Sequence, residues 1–490
     1  MTGPETTVET PSLDPCIDGI TADSRAVRPG WLFAALAGSR TDGSRFVADA
    51  LARGAAAVLL GPGVAADVPA GVAIVRSDEP RRALALMAAR FYPRQPPTIV
   101  AITGTNGKTS IAEFTRQIFA ACGRKAASLG TIGVVKPDGA VYGSLTTPDP
   151  VTLHRTLQEL ADEGVTHLAL EASSHGLDQH RLDGVCLTAG AFNNLGRDHL
   201  DYHETMEAYL AAKLRLWELL PAGATAVVNA DGPAADAAIA AARARGLEVM
   251  TTGEKGEDLG LGHVRRHGFA QQITVTRRGF PYRVHYDVRQ EIVMANLELI
   301  GIYQGSNALV AAALAIACGE DPDFVLRTCL PKLKGVPGRL EVVAEARGGI
   351  AVVDYAHKPE ALEAALEALR PFATGKLICI VGCGGDRDRG KRPIMGRIAA
   401  EKADIAIVTD DNPRSEDPAA IRAEIMAGAT GAREIGDRAA AIREGVRLLA
   451  PGDVLLVAGK GHETGQIIGD RVLPFSDHEE IRKAVKELDA

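Results

Sequence analysis

Three consecutive α/β domains are the architecture this sequence predicts, and three observations predict it. Short apolar, β-branched runs alternate with longer stretches of helical periodicity along the whole chain. The 490 residues are too many for one core and suit about three domains at roughly 150 residues each. Two proline- and glycine-marked junctions cut the chain where such domains would meet.

The first junction is Phe91-Tyr-Pro-Arg-Gln-Pro-Pro97, where three prolines in five residues oppose both helix and central strand. The second, Pro331-Lys-Leu-Lys-Gly-Val-Pro-Gly338, follows a strongly helical stretch from Asn307 to Cys318. The expected domains are therefore residues 1–92, 93–332 and 333–490. In the middle piece, Thr98-Ile-Val-Ala-Ile102 runs into a glycine turn, and beyond Lys108 the residues Ile111, Phe114 and Ile118 recur at helical spacing. In the last piece, the apolar runs are Ile350–Asp354, Leu377–Val381, Ile405–Thr409 and Val454–Ala458. Continuous apolar strands between helices indicate parallel sheets covered on both faces. Such sheets bind ligands at the carboxyl ends of their strands, and each motif below follows a strand.

Composition narrows the function. Apolar residues make up 46% and charged residues 24%, as in ordinary globular proteins. A net charge of -8 and an aromatic content of 4% argue against a nucleic-acid-binding surface. The seven cysteines are scattered with no Cys-x-x-Cys pair, which suits a reducing compartment. Cys379 and Cys383 read as buried small hydrophobes rather than metal ligands. The start, Met1-Thr-Gly-Pro-Glu-Thr-Thr-Val-Glu9, has neither the basic nor the apolar part of a secretory signal. No uninterrupted apolar stretch approaches the ~20 residues of a spanning helix. A cytoplasmic monomer without a membrane span is expected.

Chemistry concentrates first in Gly104-Thr-Asn-Gly-Lys-Thr-Ser110, directly after a strand and before a helix. Gly104, Thr105, Asn106 and Gly107 can turn backbone N–H groups toward a polyphosphate, and the helix N-terminus adds partial positive charge. Lys108 can pair with the terminal phosphates, while Thr109 or Ser110 can reach magnesium. The loop departs from the general phosphate-loop pattern, which has a glycine where Ile102 stands. Glu171 follows the apolar run Leu168-Ala-Leu170, and a carboxylate at such a strand end is a natural magnesium ligand. Taken alone, His199 reads equally well as a structural hydrogen-bonder and Lys213 as a solvated helix face.

The shortened loop Gly-Thr-Asn-Gly-Lys-Thr resembles that of the Mur ligases and of folylpolyglutamate synthetase, and further motifs follow in family order. They are Glu171-Ala-Ser-Ser-His-Gly-Leu-Asp-Gln-His-Arg181, Asn193-Asn-Leu-Gly-Arg-Asp-His-Leu-Asp-Tyr-His203 and Tyr209-Leu-Ala-Ala-Lys213. The resemblance implies an N-terminal UDP-binding α/β domain, a central ATPase-like domain with a parallel sheet, and a C-terminal Rossmann-like domain. It implies ATP and two magnesium ions, one near Thr109 and Glu171, the other near His199 and Lys213. Lys213 would be carbamylated by carbon dioxide, turning a cation into an anionic oxygen ligand. The reaction implied is phosphorylation of a substrate carboxylate to an acyl phosphate, followed by attack of an amine. Gly301-Ile-Tyr-Gln-Gly-Ser-Asn307 resembles a segment with two asparagines; Gln304 replaces the first, and Asn307 matches the one that contacts adenine. Arg339 would meet phosphate and Asp354 ribose. Lys358 stands where many members have threonine.

The outer segments separate members of the family. Asp23-Ser-Arg25, Gly30-Trp-Leu-Phe33 and Gly38-Ser-Arg-Thr-Asp-Gly43 resemble a UDP-sugar domain, with Ser24, Ser39, Arg40 and Thr41 implied at UDP. By themselves these segments read as plain turns. Thr146, Thr147, Ser173, Gln179 and Arg181 match positions that hold a muramoyl-dipeptide, while Leu145 replaces an asparagine of some relatives. Near the C-terminus, Asp411, Asn412, Pro413 and Arg414 resemble the stretch by which some members recognise meso-diaminopimelate. Arg387, Gly459 and Glu463 match the other contacts. The chemistry agrees, because diaminopimelate differs from lysine by a second carboxylate that a planar guanidinium grips bidentately. The implied small-molecule substrates are UDP-N-acetylmuramoyl-L-alanyl-D-glutamate and meso-diaminopimelate. Gly382-Cys-Gly-Gly385 alone is a weak dinucleotide-loop signal. The rival readings are a folylpolyglutamate synthetase, a lysine-adding ligase and a nucleotide-dependent switch. The uridine segment opposes the first and Arg414 the second. The absence of an Asn-Lys-x-Asp guanine motif opposes the third.

Overall fold

The computed structural model describes residues 6–10, 13–38, 42–141, 146–278 and 290–488. Ser39, Arg40, Thr41 and Leu145 lie outside the described residues. The chain forms two compact units, Met1–Gly256 with Ala313–Asp321, and Glu257–Ala312 with Pro322–Ala490.

The first unit carries two sheets. In the N-terminal one, Gly19–Thr21, Trp31–Ala34, Ala57–Leu60 and Ala73–Arg76 lie side by side and parallel, and Thr7–Val8 closes one edge antiparallel. The helix Pro80–Phe91 covers this sheet with Ala83, Leu84 and Met87. Phe91 thus ends a helix rather than beginning the linker.

In the second sheet, Thr98–Thr103 lies between His167–Glu171 and Ala189–Phe192, all parallel. Its core residues Ile99 to Ile102 are completely buried, which is why this strand reads as one apolar run. From this strand the chain crosses to Ala126–Gly130 on one side and later returns to Ala189–Phe192 on the other. The phosphate loop therefore leaves the sheet at the point where strand order reverses, the usual ligand crevice of such sheets. Parallel strands Thr225–Asn229 and Glu248–Gly253 extend one side, and the antiparallel Gly133–Lys136 and Gly139–Val141 extend the other.

The second unit holds a six-stranded sheet in the order Glu341–Ala346, Gly349–Asp354, Val454–Ala458, Leu377–Val381, Ile405–Val408, Arg433–Glu434. All its pairs are parallel except the first. Apolar faces on both sides are packed, one by Leu362, Leu366 and Met395, the other by Ile442, Val446 and Ile481. This unit also contains an antiparallel ribbon of Leu259–His267, Ala270–Arg278 and Gln290–Leu297.

Parallel sheets follow the expectation; the antiparallel edge strands do not. Gly133–Lys136, Gly139–Val141 and Glu341–Ala346 are joined to the next or preceding strand by short turns that add a strand without a crossover helix, so no helical stretch announces them. The two compact units are divided at Gly256/Glu257, Ala312/Ala313 and Asp321/Pro322.

Candidate active site

The phosphate loop is built by its glycines. Gly104 has φ +154° and Gly107, at the N-terminus of the helix Lys108–Ala121, has φ +84°. A Cβ on Gly104 would lie 3.1 Å from the Asn193 Cβ and 3.2 Å from the Asn194 amide nitrogen, so the loop also needs glycine for closeness. The strand end after Ala189–Phe192 clasps the loop. Asn194 Oδ1 accepts from the Asn106 N–H at 2.9 Å, and Asn193 Nδ2 donates to the Asn106 carbonyl at 3.0 Å. Lys108 Nζ donates to the carbonyls of Gly104 and Thr105, both at 2.8 Å.

Sheet register then delivers Glu171, which pairs with Ile102, two residues before Gly104. Glu171 is buried, and its two carboxylate oxygens accept from the Thr131 N–H at 2.8 Å and the Thr131 hydroxyl at 3.2 Å. A Cβ on Gly130 would fall 2.0 Å from Glu171 Oε1, so only glycine leaves space for that carboxylate. Thr131 is a partner that sequence reasoning missed.

Lys213 is not a solvated helix residue. It is 1% exposed, and its Nζ donates to the Gly104 carbonyl at 2.8 Å and sits 4.2 Å from the Tyr209 ring centre. Burial first, then the nearby Lys108 charge, pushes its amine down to about 6. Tyr209, one helical turn earlier, reaches the loop through a 3.2 Å hydrogen bond between its hydroxyl and that of Thr105. His199 has φ +53°, and its ring lies 6.1 Å from the Tyr209 ring and 4.7 Å from the His175 ring. Lys213 and His199 thus flank one tyrosine beside the phosphate loop. Among the described residues no three or more His, Cys, Asp or Glu gather as a ready-made metal cage.

Thr146, Thr147, Ser173, Gln179 and Arg181 form a connected patch. The Thr146 and Thr131 hydroxyls are 3.0 Å apart. The Thr147 hydroxyl donates to the Glu171 carbonyl at 2.9 Å and accepts from the Ser173 N–H at 3.0 Å. Ser173 caps the helix Ser174–Asp178 by accepting from the Gly176 N–H. Arg181 donates to the Thr147 carbonyl at 2.7 Å and to Gln179 Oε1 at 2.8 Å. Asp183 stands behind this patch, receiving Arg215, Arg82 and His180. Farther toward the N-terminus, Ser24 is buried and hydrogen-bonds Asp49, so its hydroxyl is turned into the fold.

Four adjacent strands of the second unit bring the remaining residues to one edge: Asp354, Gly459, the Gly382–Arg387 loop, and Asp411 to Arg414. Asp354 is a buried carboxylate whose oxygens accept from the Leu340 and Ala356 N–H groups, each at 2.8 Å. Any ribose contact must use its remaining lone pairs. The Arg339 guanidinium lies 4.8 Å from the Tyr355 ring centre. Gln304 Oε1 accepts from Asn307 Nδ2 at 3.0 Å, which orients the Asn307 amide.

The loops carrying Arg387 and Arg414 are knitted together. Gly385 donates its N–H to the Asn412 carbonyl at 2.9 Å, and Arg414 Nη1 donates to the Gly385 carbonyl at 2.8 Å. Arg392, fully buried, grips Glu416 with both Nη atoms, and Glu416 accepts the Asp386 N–H. Arg387 is exposed and points at no described carboxylate. Glu463 Oε2 accepts from Asn412 Nδ2 at 2.9 Å and from Lys460 Nζ at 3.2 Å. Cys379 and Cys383 are buried, as expected.

Comparison with known proteins identifies this arrangement. Residues 16–92 match the catalytic domain of the Mur ligase family, residues 102–315 its middle domain, and residues 338–461 its glutamate ligase domain. The chain belongs to the Mur ligase family of ATP-dependent ligases. Within it, the chain is 57% identical over 476 residues to the UDP-N-acetylmuramoyl-L-alanyl-D-glutamate–2,6-diaminopimelate ligase of Bradyrhizobium diazoefficiens, covering 96% of this chain and 95% of that one. The ligase of the same name from Agrobacterium fabrum is 56% identical, covering 96% and 94%. A solved structure of a ligase of that name superposes with TM-score 0.67 at 32% identity, over 97% and 96% of the two chains.

Proposed function

We propose that this protein joins meso-2,6-diaminopimelate to the D-glutamate carboxylate of UDP-N-acetylmuramoyl-L-alanyl-D-glutamate, using ATP, in cytoplasmic peptidoglycan synthesis. One observation carries the reading: a chain 57% identical to a 2,6-diaminopimelate ligase presents Arg414 and Glu463 beyond the carboxyl ends of Ile405–Val408 and Val454–Ala458, the two strands that flank Leu377–Val381. The domain boundaries at residues 92 and 332, and the monomeric state, belong to the same proposal. Among the described residues no helix is long and apolar enough to cross a membrane.

The reaction must bring two anions together, the γ-phosphate and the substrate carboxylate. At ~4 Å, two unit charges repel by about 4 kcal/mol even at an effective dielectric near 20. Lys108 offsets part of this once drawn from the Gly104 and Thr105 carbonyls to the terminal phosphates. The residues present suit two magnesium ions, with Thr109 and Glu171 holding one, and His199 with carbamylated Lys213 the other. Lys213 fits that role because carbamylation consumes a neutral amine, and burial keeps this amine neutral near pH 7. Bound magnesium would supply the remaining charge neutralisation. Thr146, Thr147, Ser173, Gln179 and Arg181 orient the dipeptide carboxylate for in-line transfer. The carboxylate oxygen bonds to phosphorus as the bond to ADP breaks. The diaminopimelate amine then attacks the carbonyl carbon, loses a proton, and phosphate departs as the amide forms.

Phosphate release should require both the uridine dipeptide and a free amino acid, with meso-diaminopimelate preferred over its isomers and over lysine. Arg414→Ala should lower kcat/KM for diaminopimelate by about 30- to several-thousand-fold, the 2–5 kcal/mol typical of a stranded buried charge. Lysine has no second carboxylate to strand, so its kcat/KM should fall much less. Arg414→Lys should stay poor, because a point charge does not reproduce the planar fork. Equal losses for both amino acids would assign Arg414 to the fold and remove this reading of specificity.

A further inference from the structure

Lys460 lies beneath the cluster just assigned to diaminopimelate, and none of its side chain is exposed. It follows the strand Val454–Ala458 and reaches across to the segment beyond Ile405–Val408. Its Nζ donates to Asn412 Oδ1 at 2.8 Å and to Glu463 Oε2 at 3.2 Å, and stands 3.9 Å from Asp411 Oδ1. Asn412 Oδ1 also accepts the Ile467 N–H at 3.0 Å, while Asn412 Nδ2 donates to Glu463 at 2.9 Å. One lysine therefore sets both the orientation of the Asn412 amide and the direction of the Glu463 carboxylate. Gly459 permits this closeness, since a Cβ there would lie 2.7 Å from Asp411 Oδ2.

Charge is the consequential feature. Lys460 is one of two buried cations beside Asp411 and Glu463, the other being Arg438, and it is the one that touches Glu463 directly. With it, the charge of the two carboxylates is offset from below, and Arg414 adds a further cation at the Gly385 carbonyl. The far end of diaminopimelate carries an ammonium and a carboxylate and is neutral overall. The far end of lysine carries the ammonium alone. A buried cation among these carboxylates weakens their hold on a lone ammonium, yet leaves a zwitterionic end a partner for each charge.

We infer that Lys460 is a specificity-determining positioning residue, which excludes lysine by neutralising the Asp411 and Glu463 carboxylates while aligning Asn412 and Glu463 for a zwitterionic amino acid. The inference rests on this cluster being the diaminopimelate site. Its effect is read as a ratio, not as a loss of activity.

The experiment measures kcat/KM for meso-diaminopimelate and for L-lysine with the full-length enzyme, by phosphate release, in wild type, Lys460→Met, Lys460→Gln and Lys460→Arg. Thermal unfolding of each variant accompanies the kinetics. The diaminopimelate-to-lysine ratio should fall by about tenfold or more in the neutral variants, partly through a rise for lysine. Lys460→Arg, which keeps the charge, should retain most of the wild-type ratio. Equal losses for both amino acids, or an arginine variant as unselective as the neutral ones, would overturn the inference. Neutral variants that both fail to fold would make Lys460 a folding residue and overturn it as well. A wild-type enzyme that does not use diaminopimelate would instead overturn the functional reading beneath it.

Discussion

At the scale of single residues, Lys213 shows how burial converts a routine side chain into a reactive one. An ordinary lysine is protonated at neutral pH and does not attack carbon dioxide. With its amine pushed down to about 6, Lys213 is mostly neutral at pH 7.5 and progressively protonated below about 6. At equal dissolved carbon dioxide, enzyme stripped of it should therefore regain activity quickly at pH 7.5 and several-fold more slowly at pH 5.5. Lys213→Ala should be almost inactive and partly restored by acetate or formate, which replace the missing anionic oxygens. Full activity in a variant lacking the amine, with no response to small carboxylates, would remove the carbamate from the mechanism.

Between elements, buried ion pairs join helices to the strand ends that bear the site. Arg438 on the helix Arg438–Leu448 and Asp477 at the start of Asp477–Leu488 are both fully buried and meet through two 2.7 Å contacts. Burial lowers the affinity of the guanidinium for its proton, but Asp477 more than compensates and holds it charged. Arg438 Nη2 also donates to the Ala458 carbonyl at 2.9 Å, the last strand residue before Gly459. Removing one member strands the other charge in the interior, at a cost of about 3–5 kcal/mol. Arg438→Met should lower the urea midpoint accordingly, with the diaminopimelate KM raised in the protein that remains folded. Arg438→Met with Asp477→Leu should recover most of that stability, since replacing a whole buried pair by apolar side chains is often neutral. An unchanged midpoint in the single variant would show that water reaches the pair.

For the whole molecule, nucleotide binding links the loop to stability. A ligand that binds only the folded state at a hundredfold excess over its Kd stabilises it by about 2.7 kcal/mol. ADP with magnesium should raise the melting midpoint of wild type by several degrees. Lys108→Ala should melt near the wild-type temperature without nucleotide, because the carbonyls to which its Nζ donates, those of Gly104 and Thr105, belong to its own loop. It should lose most of the ADP-induced rise and nearly all ligation. A full ADP shift in that variant would take Lys108 out of nucleotide binding.

Much of this was written locally in the chain. The all-apolar runs Ile99–Ile102 and Leu377–Val381 could only be strands buried on both faces, because no polar residue offers an exposed side. The phosphate loop was legible because Gly104 and Gly107 occupy backbone conformations that other residues rarely adopt. Asp411 to Arg414 stood out through their resemblance to a family motif, to which the planar guanidinium of Arg414 adds a chemistry suited to a carboxylate. What the tertiary structure decided was pairing and burial. It placed Thr131 against Glu171, turned Ser24 to Asp49, sank Lys213 beside Gly104, and set Lys460 among Asp411, Asn412 and Glu463. These partners lie from 3 to 109 residues apart in the chain, and sheet register, not local spacing, selects most of them. Desolvation, which sets the charge of Lys213 and gives Lys460 its leverage, depends on everything packed around a group, and so exists only once the chain has folded.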